Sequence, residues 1–350
     1  MTPPGGRRTA RAAAGFGPAG PMAALVAPDS FKGTFSAPEV ARAVADGLRS
    51  AGREAHELPV ADGGEGTMEV LVSAVGGEIR RLTVSDPLGR PVEAGLALLP
   101  DGSAVVEMAQ ASGLSLVAEP DRDAWAASTR GTGELIAAAV EAGASPVIVT
   151  VGGSATTDGG AGAIDALREA DFQSAGIEMH VVCDVRVPFE DAPRVYGPQK
   201  GADPAMVERL ERRLDELAVS FPRDPRGVPM TGAAGGLSGG LWAAYGAALE
   251  PGAQFLLDAL AFDARMRAAR AVVTGEGKLD EQTLEGKLVG EIGTRTRQAG
   301  VPLHAIVGTD RLDAFGKRII DLQFVQEATN LAEIEAAGER LGRGLAEGAW

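Results

Sequence analysis

The sequence predicts an α/β fold, in which strands and helices alternate along the chain. Three observations lead to this prediction. Strand-like and helix-like segments follow one another through most of the sequence. Aromatic residues are only 4% of the 350 residues, so the core must be built mainly from Ala, Val, Leu and Ile. The 48 glycines gather at the ends of strand-like segments, where tight turns and ligand sites are built.

The N-terminal part of the chain changes its pattern near Asp86. In chain order we predict a strand at 23–27, a helix at 36–48, a strand at 55–60, a helix at 67–75, and strands at 78–84, 92–99 and 104–108. The first helix is predicted by the capping box of Ser36 and Glu39, with Pro38 in its first turn. Alternating strands and helices give way to antiparallel strands after the turn that starts at Asp86. That change predicts a domain boundary.

The rest of the chain returns to alternating elements. In order we predict a helix at 132–142, a strand at 146–151, a helix at 161–167, a strand at 179–185, helices at 204–219 and 241–248, strands at 271–274 and 303–307, and a helix at 331–345. The strand at 146–151 shows no polar alternation, so we expect it to be buried on both faces. The helix at 204–219 is charged and amphipathic, which is typical of a helix on the surface.

Composition excludes several classes of partner. The net charge of −15 argues against nucleic acid and anionic membranes, and no apolar run approaches the roughly 20 residues that span a bilayer. Cys183 is the single cysteine, which rules out an intrachain disulfide and favours a reducing, cytoplasmic location. Residues 1–21 contain three arginines among Ala, Gly and Pro without periodicity, and we expect a disordered extension there.

Six segments share one layout, an apolar strand followed at once by small and charged residues. They are 28–33, 61–67, 149–162, 183–185, 232–237 and 274–280. Because the carboxyl ends of strands form the ligand crevice of open α/β sheets, we expect these loops to converge. Their carboxylates are oxygen ligands of the kind that Mg²⁺ takes, and their lysines suit phosphates. The carboxylates considered are Asp62, Glu65, Asp158, Asp184, Glu276 and Asp280, and the lysines are Lys32, Lys278 and, from outside the six segments, Lys200. This inventory fits phosphoryl transfer, which needs positioning, cations and a base for the attacking hydroxyl.

Other chemistries have less support in the sequence. The P-loop motif GxxxxGK[ST], protein-kinase signatures and the GxSxG elbow of hydrolases are absent. A GxGxxG match occurs at 15–20, but it precedes a strand instead of following one, which disfavours an oxidoreductase. The three histidines, His56, His180 and His304, lie in strand-like segments without metal-ligand spacing, and we interpret them as structural.

Six motifs are similar, in order and spacing, to those of the type I glycerate kinases. They are APDSFKG at 27–33, PVADGGEGT at 59–67, VGGSATTDGGAG at 151–162, YGPQKGA at 196–202, GAAGGL at 232–237 and TGEGKLDEQT at 274–283. The resemblance implies ATP-dependent phosphorylation of D-glycerate with Mg²⁺, at the 2-hydroxyl, to give 2-phosphoglycerate. It also implies two domains. A Rossmann- or flavodoxin-like domain is formed by residues 22–85 and 290–350, with a second α/β domain inserted at 86–289.

The resemblance also implies that the site lies in the cleft between the two domains, with a set of site residues there. The catalytic candidates are Asp184, Asp158 and Lys32. The candidates for binding substrate or nucleotide are Asp29, Ser30, Asp62, Gly63, Gly64, Glu65, Gly152, Gly153, Ser154, Thr156, Gln199, Lys200, Gly235, Gly236, Glu276, Lys278 and Asp280. The candidate metal ligands are Asp158, Asp184 and Glu276. The expected partners are glycerate and ATP, without nucleic acid or membrane, and self-association into a homo-oligomer is left open.

Two segments depart from the pattern of the family. Residues 168–178 and 186–195 are shorter than the usual connections, and both lie beside candidate site residues. The alternative interpretation is therefore a degenerate, non-catalytic homologue that binds a nucleotide or a carboxylate. Which carboxylate is the general base, and whether the product is 2- or 3-phosphoglycerate, also stay open at this point.

Overall fold

The computed structural model describes residues 23–31, 33–172, 176–285 and 287–346. The expected extension at 1–21 and the catalytic candidate Lys32 therefore lie outside the described residues. Among the helices in these ranges, none is long and apolar enough to cross a membrane.

Strands and helices alternate, which confirms the predicted α/β class. The strands are β1 Ala24–Pro28, β2 Ala55–Glu57, β3 Glu78–Ser85, β4 Pro91–Leu98, β5 Ala104–Glu107, β6 Val147–Thr150, β7 Met179–Cys183, β8 Ala248–Pro251, β9 Ala271–Gly275, β10 Lys278–Leu279, β11 Leu303–Val307, β12 Thr309–Asp310 and β13 Leu322–Glu327. The helices are α1 Ala37–Ser50, α2 Thr67–Val75, α3 Ala109–Ser112, α4 Arg130–Glu141, α5 Ala161–Glu169, α6 Ala192–Tyr196, α7 Pro204–Ser220, α8 Leu237–Tyr245, α9 Gly252–Ala259, α10 Phe262–Ala268, α11 Leu288–Ala299, α12 Ala314–Ile319 and α13 Leu331–Ala346.

The two ends of the described chain share one parallel sheet. Its five strands lie in the order β13-β11-β9-β1-β2, and every neighbouring pair is parallel. Helices α1 and α13 cover one face, where Val40 and Ile334 pack with Val26 and Val273 of the strands. The predicted capping box is present at the start of α1, where the Ser36 N–H donates to Glu39 Oε2 at 2.8 Å.

The second sheet is mixed. Its six strands run in the order β3-β4-β5-β6-β7-β8, with antiparallel pairs from β3 to β5 and parallel pairs from β5 to β8. The predicted antiparallel pairing of 92–99 with 104–108 is therefore confirmed. Strand β6 lies inside this sheet and all of its residues are buried, as its unbroken apolar sequence predicts.

One apolar cluster joins the two sheets. Leu25 and Val272 of the five-stranded sheet pack in the same cluster as Ile148 and Val182 of the six-stranded sheet, with helices α2 and α9 between them. Because both sheets bury a face in this cluster, the loops at their strand ends are held at fixed positions relative to each other.

Some predicted elements differ from the structure. The end of the helix predicted at 241–248 is wrong. Helix α8 ends at Tyr245, because the next residue, Gly246, has a left-handed backbone conformation. The chain then forms β8, which pairs with β7. Strand β2 is shorter than predicted. The Leu58 N–H still donates to the Val26 carbonyl at 2.8 Å, but Pro28 on β1 has no N–H to donate back to the Leu58 carbonyl. No helix is predicted between 275 and 302, where α11 forms although it contains two glycines.

The domain limits stay a prediction, which we refine here. Strand β9 lies beside β1 in the five-stranded sheet, although we expect residues 86–289 in the inserted domain. We propose that the inserted domain ends near Gly252, where the chain leaves β8, instead of at residue 289.

Candidate active site

The five-stranded sheet changes its winding direction between β1 and β9. From β1 the chain moves to β2 on one side, whereas from β9 it moves to β11 and β13 on the other side. Loops at the carboxyl ends of two such strands diverge, and the crevice between them is where open α/β sheets bind ligands. Asp29 follows β1 and Glu276 follows β9, so these two carboxylates flank the crevice.

A cleft of about 520 Å³ lies at this position. Its lining residues come from the loops after β1, β2, β9, β11 and β13 and from the segment that leads into α11. They are Asp29, Ser30, Phe31, Thr34, Asp62, Glu276, Gly277, Lys278, Asp280, Gln282, Lys287, Leu288, Gly308, Thr309 and Thr329. Six of the residues predicted from the sequence are therefore brought together in one cavity: Asp29, Ser30, Asp62, Glu276, Lys278 and Asp280.

The cleft combines carboxylates with lysines. The Lys278 ammonium lies 2.7 Å from the Asp280 carboxylate, and this hydrogen bond is the main cause that lowers the pKa of Asp280. Thr283 Oγ1 donates to Glu276 Oε1 at 2.7 Å and orients that carboxylate. The Lys278 side chain is 63% exposed, so its charge can turn towards a bound anion at little cost.

Several lining residues were not predicted from the sequence. Gln282 and Lys287 come from the segment that leads into α11, and Lys287 Nζ donates to Gln282 Oε1 at 2.8 Å. Gly308 and Thr309 follow β11, and the Gly308 N–H donates to the Glu276 carbonyl at 3.0 Å. The position of Gly308 directly after a strand could have indicated this loop, but the loop begins without a charged residue and so did not match the pattern of the other loops.

A second group of predicted residues forms a junction between the two sheets. A Cβ at Gly152 would lie 2.6 Å from Gly64 Cα, and a Cβ at Gly153 would lie 2.4 Å from Glu65 Oε1. The loop after β6 therefore packs directly on the loop after β2 that contains Gly63, and only glycine permits this approach.

Asp184 lies at the start of α9, close to the backbone of Asp62. Its Oδ1 accepts a hydrogen bond from the Ala253 N–H at 3.2 Å. A Cβ at Gly252 would lie 2.7 Å from Asp184 Oδ1 and 1.9 Å from the Asp62 carbonyl oxygen. Asp184 is thus separated from the backbone of Asp62 by a single glycine, although it is not among the residues that line the cleft.

Asp158 is enclosed by hydrogen-bond donors. Its carboxylate accepts from the N–H and the hydroxyl of Thr129, both at 2.8 Å, and from the N–H groups of Gly160 and Gly162, both at 3.1 Å. The side chain is 1% exposed. These contacts tie the start of α5 to the start of α4, which favours a structural role for Asp158.

Lys200 is buried in the same region. Its Nζ donates to the Thr156 carbonyl and lies 3.4 Å from Ser154 Oγ. Burial lowers the pKa of Lys200 to about 7, and the nearby Asp158 carboxylate opposes this shift. The described contacts of this amine are with the protein, so it supports the loop after β6.

The remaining candidates lie around the loop after β6, residues 151–160, which we call the buried loop. The Gly159 N–H donates to the Gly235 carbonyl at 3.0 Å, so the glycine pair that includes Gly236 covers the loop. Gln199 is exposed, and its carbonyl accepts from Arg122 Nη1 at 3.3 Å. The predicted residues thus separate into a cleft, a junction and a buried loop.

Among the residues described, no group of three His, Cys, Asp or Glu side chains is placed to hold a metal ion. The three candidate ligands Asp158, Asp184 and Glu276 do not form such a group. Mg²⁺ at phosphoryl-transfer sites is commonly held by one or two carboxylates together with substrate phosphates. Asp29, Asp62 and Glu276 supply carboxylates of this kind to one cleft.

An open parallel sheet with a charged cleft at its switch point defines an α/β protein that binds a small polar ligand. Comparison with known proteins gives the family. A family model described as the glycerate kinase family matches residues 24–175 and 167–341. Glycerate 2-kinase of Escherichia coli strain K12 is 36% identical over 342 residues, which are 87% of this chain and 90% of that protein. Glycerate kinase of Bacillus subtilis strain 168 is 38% identical over 333 residues, which are 84% of this chain and 86% of that protein.

A solved structure is also similar. The crystal structure of a Salmonella typhimurium LT2 protein assigned as glycerate kinase 2 matches with a TM-score of 0.81 and 34% identity, covering 93% of this chain and 99% of that one. The chain belongs to the glycerate kinase family, a family of phosphotransferase enzymes, as its motifs indicate.

Proposed function

We propose that this protein transfers the γ-phosphoryl group of ATP to D-glycerate, at the 2-hydroxyl, and forms 2-phosphoglycerate and ADP. The observation that carries the proposal is the cleft at the switch point, where Asp29, Asp62 and Glu276 face Lys278 and Lys287. The relative from Escherichia coli bears the name glycerate 2-kinase, which supports phosphorylation at the 2-position.

Each kind of group in the cleft has a part in this reaction. The lysines attract the carboxylate of glycerate and the phosphates of ATP, because both ligands are anionic. The carboxylates accept hydrogen bonds from the glycerate hydroxyls, and Asp62 or Glu276 can contribute an oxygen to Mg²⁺. When Mg²⁺ is bound, it neutralises charge on the phosphates.

The chemical step needs one base. The glycerate hydroxyl oxygen forms a bond to the γ-phosphorus while the bond from that phosphorus to the ADP oxygen breaks, and the hydroxyl proton passes to a carboxylate. We propose Asp184 for this role, because only Gly252 separates it from the backbone of Asp62, which lines the cleft; Asp62 itself is the second candidate. Asp184 directly follows the buried strand β7 and is held by the Ala253 N–H, so its position is rigid.

The remaining assignments are proposals of the same kind. Lys32 follows the cleft residues Asp29 and Ser30 in the sequence, which supports a role for it in binding phosphate. A cytoplasmic location is supported by the single cysteine, Cys183, which cannot form an intrachain disulfide.

A coupled assay of ADP release tests the function. We expect ADP to form only when D-glycerate, ATP and Mg²⁺ are all present, and product analysis by NMR should show phosphate at the 2-position. 3-Hydroxypropionate, which lacks the 2-hydroxyl of glycerate, serves as the control acceptor. A folded protein that releases no glycerate-dependent ADP would refute the proposal and favour the non-catalytic alternative.

Asp184→Asn tests the assignment of the base. The amide keeps an oxygen for the Ala253 N–H but cannot take the proton. We therefore expect kcat to fall by at least about a hundredfold, with little change in the melting temperature. A near-normal kcat with an unchanged melt would remove Asp184 from the mechanism and move the role to Asp62.

A further inference from the structure

Glu107 connects the six-stranded sheet to the loop that carries Asp62. It is the last residue of β5 and is 5% exposed. Its Oε1 accepts from the Gly66 N–H at 2.9 Å, and its Oε2 accepts from the Met68 N–H at 3.2 Å. Both donors lie at the start of α2, directly after the loop that follows β2 of the other sheet. One carboxylate thus bridges the two sheets at the edge of the cleft.

The start of α2 lacks a cap of its own. Its N-cap residue is Gly66, which has no side chain and a φ of 86°. The first N–H groups of a helix have no partners within the helix, and a negative charge is favourable there. Glu107 supplies from another element the acceptor and the charge that a Ser or Asp at the N-cap would supply.

The surroundings of the Glu107 carboxylate disfavour its charged form. Burial is the largest cause that raises the pKa of Glu107, the carboxylates of Glu65 and Glu69 raise it further, and the two N–H groups oppose the shift. A buried carboxylate with two acidic neighbours is costly, so its hydrogen bonds to the loop have to compensate. The sequence signal was an acidic residue ending the apolar strand AVVE.

The loop held by Glu107 has little freedom in other directions. The Gly64 N–H donates to Asp62 Oδ1 at 2.9 Å, which links the turn to the cleft carboxylate. On the other side of the turn, a Cβ at Gly152 would lie 2.6 Å from Gly64 Cα, so the loop after β6 blocks movement there. The position of Asp62 therefore depends on two contacts with the six-stranded sheet.

We propose that Glu107 is a positioning residue for the transfer reaction, which holds Asp62 in place at the cleft through the start of α2. The proposal rests on the proposed function. Glu107 is not among the residues that line the cleft, so it acts on the substrate only through this loop.

Hydrogen–deuterium exchange and kinetics on Glu107→Gln test the proposal. The amide has the shape of the carboxylate, but its NH2 group would face one of the two N–H donors. We expect amides 64–68 to exchange at least about tenfold faster, because their local opening costs less free energy. We expect kcat to fall at least about tenfold with KM for ATP nearly unchanged, since a displacement of about 1 Å at a reacting group can cost about a hundredfold.

Glu69→Gln is the matched control. Glu69 lies in the first turn of the same helix, is exposed, and also contributes negative charge near Glu107, but it does not accept from Gly66 or Met68. We expect exchange and kcat in this variant to remain within about twofold of wild type, as is usual for surface substitutions. If Glu107→Gln fails to fold, Glu107→Asp keeps the charge with a shorter reach and should show the same faster exchange with a smaller loss of kcat.

The proposal is overturned if Glu107→Gln matches Glu69→Gln in exchange and kcat. It is also overturned if exchange rises equally throughout β5 and β6 while kcat per folded molecule is unchanged, because Glu107 would then serve stability alone. Failure of the proposed function is recognised in the wild-type protein, which would then release no glycerate-dependent ADP. In that case the positioning role of Glu107 is refuted together with the function.

Discussion

Two regions of this protein arise from the same kind of sequence but differ in what their charges do. The cleft and the buried loop after β6 both follow an apolar strand with glycines, an aspartate and a nearby lysine. In the cleft, Lys278 pairs with Asp280 at 2.7 Å and its side chain is 63% exposed. In the buried loop, Lys200 is 2% exposed and Asp158 is 1% exposed.

The difference lies in what covers each loop. The buried loop is closed over by residues 233–236 and by the turn that contains Lys200, so its charged groups are already paired with protein donors and acceptors. In the cleft the Lys278 side chain is exposed, so its groups can exchange their present partners for a ligand. The pattern of residues after a strand therefore predicts that charged loops gather, whereas covering elements decide which of them can bind a ligand.

Among the residues that line the cleft, the largest effect is expected at Asp62. Asp62→Asn keeps an oxygen for the Gly64 N–H but removes the charge, and we expect kcat to fall about a hundredfold with an unchanged melt. Asp101→Asn is the control, because Asp101 accepts in the same way from the N–H two residues later, at 3.0 Å, in a turn between β4 and β5. Equal kcat values for Asp62→Asn and Asp101→Asn would show that the Asp62 charge has no role in the reaction, and the contrast between the cleft and the buried loop would then fail.

The opposite outcome is expected at Asp158. Asp158→Asn turns an NH2 group towards N–H donors in a buried site, and we expect the free energy of unfolding to fall by about 2 kcal/mol with kcat of the folded protein nearly unchanged. Urea denaturation and kinetics measure the two effects. The control is Asp165→Asn on the exposed side of α5, which should cost little. A large loss of kcat with normal stability would make Asp158 catalytic after all.

A smaller effect is expected at Lys278. Lys278→Ala removes a mobile cation from the cleft, so we expect KM for glycerate or ATP to rise about five- to tenfold with kcat nearly unchanged. Lys317→Ala is the matched control, since Lys317 also pairs with an aspartate, Asp310, but does not line the cleft. If kcat falls and KM does not, Lys278 acts on the transition state and not only on binding.

The smallest effect is a pH dependence at Lys200. Its folded pKa of about 7 lies below the unfolded value, so between these values the unfolded chain binds more protons and stability rises with pH. Relative to Lys200→Met, the wild type should gain roughly 1 kcal/mol of unfolding free energy per pH unit from pH 7 to 9. Chemical denaturation at several pH values measures this slope. A flat difference would show that the amine is charged in the folded protein.

Local signals in the sequence predicted much of the fold. The capping box at Ser36, the unbroken apolar strand at 146–151 and the hairpin after Asp86 all depend on neighbours a few residues away, and the structure contains each of them. Strand β8 and helix α11 could not be predicted in this way, because β8 exists through pairing with β7 and α11 contains two glycines that disfavour a helix.

For the candidate site, the sequence by itself determined which residue types follow the strands. It also determined which family motifs contain those residues. Only the tertiary structure decided that Asp29, Asp62 and Glu276 share an open cleft while Asp158 and Lys200 are buried and paired with protein groups. It also decided that Glu107 reaches the loop of Asp62 across 41 residues of sequence to Gly66. The physical reason is that burial and hydrogen-bond partners depend on which segments cover a loop, and those segments are distant in sequence.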